Sequence, residues 1–327
     1  MSLEAADPVA SVNVYYRGSL DAALTRVVAP MLSTLPDIEQ GAQLWFMRYS
    51  RGGSHIKIRV HGSNMVGEWV RKELAETLTA GLETEDRVRE QGRLGRPDDP
   101  AIDVEDYSVA ERSDWSLVWS TYRRSPVVFG GGRLLEDSEY VNKCVICFAS
   151  SARVVLDALQ KKRRTKDLYL SKLQLMLEIL TQARAAVDDD IVWWRAYAKY
   201  HRDLLLRYVA VRATGDLRHY AALQGALTAH AAKRSITGAV PTEKTVESIS
   251  AWGASLRDIA AYVRDSTDVE IIEPNASDCL QPIVFKIIHI VANQLGLRIL
   301  DEAYSLELAM AMDAGLVERA PITAVSR

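Results

Sequence analysis

Residues Leu44 to Gly62 read LWFMRYSRGGSHIKIRVHG, and the reading of this stretch decides how the first part of the chain folds. Successive side chains of a strand point to opposite faces, so His55, Lys57, Arg59 and His61 fall on one side and Ile56, Ile58 and Val60 on the other. The run Leu44 to Ser50 is its partner, carrying Arg48 and Tyr49 towards a turn with Gly52 and Gly53 that suits a tight antiparallel connection. The expectation is a β-hairpin with one ionisable face backed by an apolar one. Such a polar face ordinarily meets water. Histidine is scarce, however: the chain has 6 in 327 residues, and His55 and His61 both stand on this face. The face is therefore expected to line a cavity.

Outward from the hairpin, Val12 to Tyr16 reads as a strand, and Leu20 to Leu35 as a helix with apolar residues at Leu20, Leu24, Val27, Val28 and Leu32. Met65 to Leu82 is the next helix. Glu83 to Pro100 is charged and contains Gly92, Gly95, Pro97 and Pro100, which predicts a loop or mobile insertion. Alternation from Trp115 through Leu117 and Trp119 to Thr121 gives a fourth strand. The order strand, helix, strand, strand, helix, strand predicts a ferredoxin-like βαββαβ sheet over residues 1–133.

After Arg133 the apolar period becomes 3.6. Asp137 to Leu159, Asp167 to Val187, Asp190 to Ala213, Leu217 to Ala232, Val246 to Arg264, Ile283 to Leu295 and Ile299 to Ala314 all read as helices. Asp137, Asp167 and Asp190 stand where N-caps are expected, and Ala232 to Glu243, with Gly238 and Pro241, is the long connection. Residues 134–327 thus form a helical part packing on the sheet. The expected class is α+β, in one compact unit.

With 48% hydrophobic and 25% charged residues the chain can build a core, and a net charge of -3 provides no global basic field for nucleic acid. The basic cluster Lys161 to Arg164 reads as a solvated helix end. Cys144, Cys147 and Cys279 cannot all pair, and no targeting leader opens the chain, so a reducing cytoplasm is expected. The Cys144-Val145-Ile146-Cys147 spacing lies in an apolar helical run and lacks a second ligand pair, which predicts buried thiols and no metal. Lys286 and His289 interrupt the apolar run Ile283 to Ile290, and no membrane span is expected.

Other candidates are fewer. Phe129-Gly130-Gly131-Gly132-Arg133 could cradle an anion at a helix start, but it lacks the phosphate-loop and dinucleotide spacings, so it reads as a flexible crossover and no nucleotide cofactor is indicated. Trp193, Tyr197, Tyr200 or His201, Leu204 and Tyr208 make an aromatic stripe that ordinarily packs in a core, or else walls a substrate pocket. His219 and His230 read as surface histidines. His289 stands in an otherwise apolar helix, as a core histidine or as an acid or base, and Asn293 one turn later is placed to orient its ring.

Together these residues carry a resemblance. Arg48-Tyr49 followed by His55-Ile56-Lys57-Ile58-Arg59-Val60-His61-Gly62 resembles the RYxxxxxHLRLRxHG hairpin of the C-terminal glutamate-elimination domain of lantibiotic dehydratases. Ile288 to Asn293, followed by Asp301-Glu302 and the helix to Ala314, resembles that family's closing LxHMxxNR segment. Lys57, Gln294 and Val128 stand where elimination domains have arginines. Arg124 to Gly131, with Leu134 to Asp137, instead looks like the stand-alone branch that makes the central pyridine of thiopeptide antibiotics.

The resemblance implies a formal [4+2] aza-cycloaddition between two dehydroalanines of an azole-bearing precursor peptide, then loss of water and of the leader peptide to form a pyridine macrocycle. It implies no cofactor. His55, His289 and Tyr49 would move protons and Arg59 and Lys57 would stabilise oxygen charge, with Arg48, His61, Arg124, Tyr197, His201 and Asn293 contacting substrate. Partners would be the precursor's leader and core, with no nucleic acid and no membrane. The rivals are a stand-alone lyase that eliminates glutamate from glutamylated Ser or Thr, and a peptide-binding protein without catalysis.

Overall fold

The computed structural model describes residues 8–16, 19–49, 54–88, 117–119, 132–160, 165–187, 191–214, 243–266 and 280–313. Strands β1 (Ala10–Tyr15), β2 (Gln43–Tyr49), β3 (His55–His61) and β4 (Leu117–Trp119) form one sheet in the order β2-β3-β1-β4. Every neighbouring pair is antiparallel. The register sets Trp45 opposite Arg59, Met47 opposite Lys57 and Tyr49 opposite His55, and on the other side of β3 it sets Ser11, Asn13 and Tyr15 against Arg59, Lys57 and His55. The period of two therefore gathers all four ionisable hairpin residues on one face, with Tyr15, Trp45 and Tyr49 beside them.

The other face is the core. Val12, Val14, Leu44, Phe46, Ile56, Ile58 and Val60 are buried. Between β1 and β2 runs one helical stretch, α1 (Leu20–Ala23), a π-helical turn (Leu24–Val28) and α2 (Ala29–Ile38), which buries Leu24, Val27, Val28, Met31 and Leu35. Helix α3 (Asn64–Val88) packs on β3 through a row that includes Val66, Val70 and Leu74. Each such aliphatic side chain contributes about 1.5–3 kcal/mol on burial, which is what orients the hairpin. Helix α3 outruns the expected end at Leu82, so residues 83–88 of the expected loop are helical. They are charged but contain no Gly or Pro, and charge alone does not stop a helix.

The second part is helical: α4 (Ser138–Leu159), α5 (Thr165–Ala186), α6 (Ile191–Thr214), α7 (Glu243–Asp265), α8 (Leu280–Leu295) and α9 (Ile299–Asp313). A 3-10 turn, Gly132–Leu135, precedes α4. Asp137 caps α4 as expected, accepting the Glu139 N–H at 2.9 Å and the Tyr140 N–H at 3.1 Å. Asp167 does not cap α5, which already begins at Thr165. Asp190, the expected helix Leu217 to Ala232 and the connection after it, the Lys161 to Arg164 cluster and Phe129 to Gly131 lie outside the described residues. Cys144 and Cys147 are free and buried in α4, where burial pushes the Cys144 thiol up to about 12. Among the described residues no helix is long and apolar enough to cross a membrane.

Helix α8 helps join the two parts, packing against α4, α5, α7 and edge strand β2. Its end is sharply defined: Leu297 N–H bonds the Ala292 carbonyl and Gly296 N–H the Asn293 carbonyl, a Schellman arrangement that places Gly296 at φ 70°. A Cβ at Gly296 would also lie 2.7 Å from Arg48 Nη1. Strain and clash act together, so Gly296→Ala is expected to lose more than about 1 kcal/mol of stability in urea denaturation.

Candidate active site

The ionisable face is withdrawn from water. His55, Arg59 and His61 are 6%, 5% and 5% exposed, and only Lys57 is partly open. His55 lies between two phenols, its ring centroid 4.6 Å from Tyr15 and 5.3 Å from Tyr49, the latter stacked at 12°. The Lys57 ammonium sits 5.5 Å above the Tyr49 ring. Arg59 lies 4.6 Å over the Trp45 ring, a desolvated cation–π contact worth about 2 kcal/mol. Trp45 Nε1 donates to His61 Nε2 at 3.2 Å, which fixes that nitrogen as an acceptor.

Electrostatics follow from this burial. Burial, and then the Arg59 charge, lower the Lys57 ammonium below its usual value. Burial raises the Tyr49 phenol, with Arg59 partly offsetting it. At neutral pH Tyr49 is thus a phenol whose hydroxyl bonds the weak acceptor Met47 Sδ at 3.4 Å, leaving it suited to donate to a substrate oxygen. Asn13, opposite Lys57 on the same face, holds a buried Oδ1 with no hydrogen-bond partner among the described residues. Sequence reasoning did not single out Asn13, because an Asn inside an alternating strand looks like any polar position.

Arg48 points the other way. Its Nη1 lies 2.6 Å from Asp21 Oδ1, Asp21 Oδ2 also meets Lys172 Nζ at 2.7 Å, and Arg48 Nε donates to the Gln294 carbonyl at 2.8 Å. The Arg48 backbone is bonded as well: its N–H donates to Asn293 Oδ1 at 2.8 Å and its carbonyl accepts from Asn293 Nδ2 at 2.9 Å. Asn293 therefore does not orient His289, as its spacing suggested; its amide completes the open edge of β2. Gln294 is fully buried, accepting from Ser151 Oγ at 2.6 Å and donating to the Phe148 carbonyl at 3.2 Å.

The partner of His289 is Glu302. Its Oε2 lies 2.7 Å from His289 Nδ1 and its Oε1 3.3 Å from His201 Nε2. Burial alone would raise this carboxyl, but the two histidines outweigh it and bring it down to about 2. Glu302 in turn raises His289 above its usual value. The His289 side chain is 45% exposed against 2% for Glu302, so the carboxylate is sealed beneath a ring that still meets the outside. His201 also lies against Phe285, centroids 4.8 Å apart. Arg124 and the Tyr197 side chain lie outside the described residues. The signal for Glu302 was present in sequence as an acid within an apolar helical face, which normally demands a buried partner.

The fold and this arrangement define an α+β protein with a largely buried ionisable sheet face and a histidine–carboxylate cluster in its helical part. The family described as Lantibiotic biosynthesis dehydratase C-term matches residues 10–312, and the chain belongs to it. Among solved structures the chain resembles the tRNA dependent lantibiotic dehydratase MibB from Microbispora sp. 107891, with 14% identity and a TM-score of 0.53 over 94% of this chain and 28% of that one. It also resembles the pyridine synthase TbtD from thiomuracin biosynthesis, with 17% identity and a TM-score of 0.49 over 94% and 98% of the two chains. At these identities the likeness is one of fold. No curated protein matches the sequence.

Replacing Asn293 by Leu keeps its approximate shape and removes both bonds to the β2 edge. The expected cost is about 1–3 kcal/mol, because the Arg48 N–H and carbonyl lose their partners, and hydrogen exchange at the Arg48 amide should accelerate.

Proposed function

We propose that this protein is a cytoplasmic pyridine synthase of thiopeptide biosynthesis. It takes a leader-bearing, azole-containing precursor peptide and joins two dehydroalanines in a formal [4+2] aza-cycloaddition. One dehydroalanine with its neighbouring amide, as the iminol, is the azadiene; the other is the alkene. Loss of water and of the leader, as its amide, then makes the ring aromatic. The N-terminal strand and helix order supports a ferredoxin-like arrangement, with the helical part completing one enzyme unit.

The observation that carries this reading is the burial of His55, Arg59 and His61 on a face shared with Tyr15, Tyr49 and Lys57. Fixed donors in a dry site stabilise developing oxygen charge far better than water-exposed ones. In this assignment Tyr49 and His55 manage the iminol proton, Arg59 and Lys57 hold the oxygen, and Asn13 accepts a peptide N–H. His289 acts on the leaving groups. Arg48 and Asn293 hold the strand that presents the face. Holding two distant alkenes of one peptide within reacting distance supplies much of the acceleration, so single substitutions away from the charged groups are mild.

Membership of the family supports a peptide substrate. The rival glutamate lyase needs a cationic clamp for a glutamyl carboxylate, and position 294 offers it none, since the Gln294 amide is bonded within the α4–α8 interface.

Purified protein without added metal, nucleotide or redox cofactor is expected to convert a dehydrated, thiazole-bearing precursor into a pyridine macrocycle, releasing water and a leader with a C-terminal amide. Mass spectrometry and pyridine absorbance read the result. Release of glutamate from a glutamylated precursor, with no pyridine formed, would instead establish the lyase. Binding without conversion of either would leave a peptide-binding protein.

Arg59→Ala is expected to slow turnover by on the order of a hundredfold or more while leaving leader-peptide affinity unchanged, as for a donor used when charge develops. A parallel loss of affinity, measured by fluorescence anisotropy, would make Arg59 a recognition residue.

A further inference from the structure

The turn at Gly296 ends α8 and sends the chain into α9 after a short connection, so that the first turn of α9 comes back alongside the last turns of α8. Asp301 and Glu302 both lie in that first turn, where the backbone N–H groups of a helix start favour a carboxylate. Asp301 serves the turn itself, accepting from the Arg298 N–H at 3.0 Å and from the Tyr169 hydroxyl at 2.7 Å. Glu302 is directed instead at His289, and from the far side α6 brings His201 to its other oxygen. The same two helices are joined one turn on by Arg202 and Glu307.

We propose that Glu302, clasped between His289 and His201, is a positioning residue that fixes the orientation and proton occupancy of His289, making His289 the proton donor to the leaving groups of the ring-forming reaction. The proposal rests on the pyridine-synthase reading for its substrate, but its geometry does not. Nδ1 faces Glu302, so Nε2 is the ring nitrogen left to meet a ligand, and the side chain is exposed enough to do so. Both Glu302 oxygens accept hydrogen bonds and the carboxylate is sealed from water, so its compensating charge must come from a neighbouring ring. Among the described residues, charged groups on the elements around α8 have partners of their own: Arg48 and Lys172 share Asp21, Asp157 accepts from Ser248, Asp301 meets Arg298, and Glu307 meets Arg202. Lys286 is on α8 itself. Among the described residues Glu302 is the carboxylate that touches His289, and its charge raises the imidazole above its usual value, against the burial that lowers it.

This assigns a direction to the proton. A neutral His289 with Nδ1–H on Glu302 would present a bare Nε2 and act as a base; an imidazolium presents an Nε2–H and acts as an acid. In the first elimination the ring C–O bond breaks, its electron pair leaves on oxygen, and that oxygen takes the Nε2 proton and departs as water. The ring loses a proton to solvent water from the CH2 beside the imine carbon, so that the C=N bond moves towards the carbon that held the oxygen and a C=C bond forms behind it. Nε2 is then reprotonated from solvent and serves the leader nitrogen in the same way when the C–N bond breaks.

The test is a pH titration of the intact protein labelled with nitrogen-15 histidine, with the His289 signals assigned by their loss in His289→Gln. The expected wild-type result is an imidazolium at pH 7, with both ring nitrogens protonated. In Glu302→Gln, which keeps the shape of the side chain, the midpoint should fall by roughly one pH unit or more. The falling limb of the pH–rate profile should move to lower pH by the same amount, because a raised histidine is charged below its folded pKa and loses its proton as pH rises through it. Circular dichroism establishes that the variant is folded. If it is not, the wild-type titration still decides: a neutral His289 at pH 7 with an unprotonated Nε2 overturns the proposal, as does a midpoint unmoved in folded Glu302→Gln. A charged, Glu302-dependent His289 in a protein that forms no pyridine upholds the control of the His289 proton by Glu302 and overturns its use in ring formation together with the proposed function. Pyridine formation with a neutral His289 does the reverse.

Discussion

The two hydrogen bonds between the Asn293 amide and the Arg48 backbone hold the molecule's two parts in register. Strand β2 lies at one end of the sheet order, and an uncovered edge strand would leave its N–H and carbonyl groups without protein partners. The primary amide of Asn offers one donor and one acceptor at the spacing of a backbone peptide, so it continues the ladder without another strand. Arg48 reinforces the joint from its side chain, reaching both Asp21 on α1 and the carbonyl of Gln294. One short segment of α8 is thereby tied to sheet, N-terminal helix and α4 together.

Because that joint sets where α8 lies, it also sets where His289 stands one turn earlier. The Schellman end at Gly296 then determines how α9 returns, and that return delivers Glu302 to the ring. The chain of causes runs from a glycine that tolerates positive φ, through a tight connection, to a buried carboxylate under a half-exposed histidine. A buried ion pair is costly to assemble and contributes little net stability compared with apolar residues. Its presence here accords with the positioning role proposed for Glu302.

The sheet presents a similar contrast between its faces. The apolar face is tiled by aliphatic residues that account for the packing of α1, α2 and α3. The opposite face buries a guanidinium on an indole and a histidine between two phenols, arrangements that an ordinary solvated hairpin has no reason to build. Buried donors and a lowered ammonium are suited to stabilising charge on an oxygen.

The sequence by itself determined most of the described elements and the two faces of the hairpin. Alternation from His55 to His61 put the ionisable residues on one side, the change of period after Arg133 marked the helical part, and Asp137 announced its helix, because period and capping are local properties of the chain. It also marked His289 as an oddity in an apolar helix. What it did not determine was partnership. Asn293, one turn from His289, looked like its orienting group but belongs to Arg48; Glu302, across a turn, is the true partner; His201 arrives from a helix about a hundred residues away. Arg48 and Tyr49 are adjacent in sequence yet serve opposite faces. Only the tertiary structure decided these, because hydrogen bonds between elements depend on where helices end and which sheet edge they meet, and those are set by packing across the whole molecule.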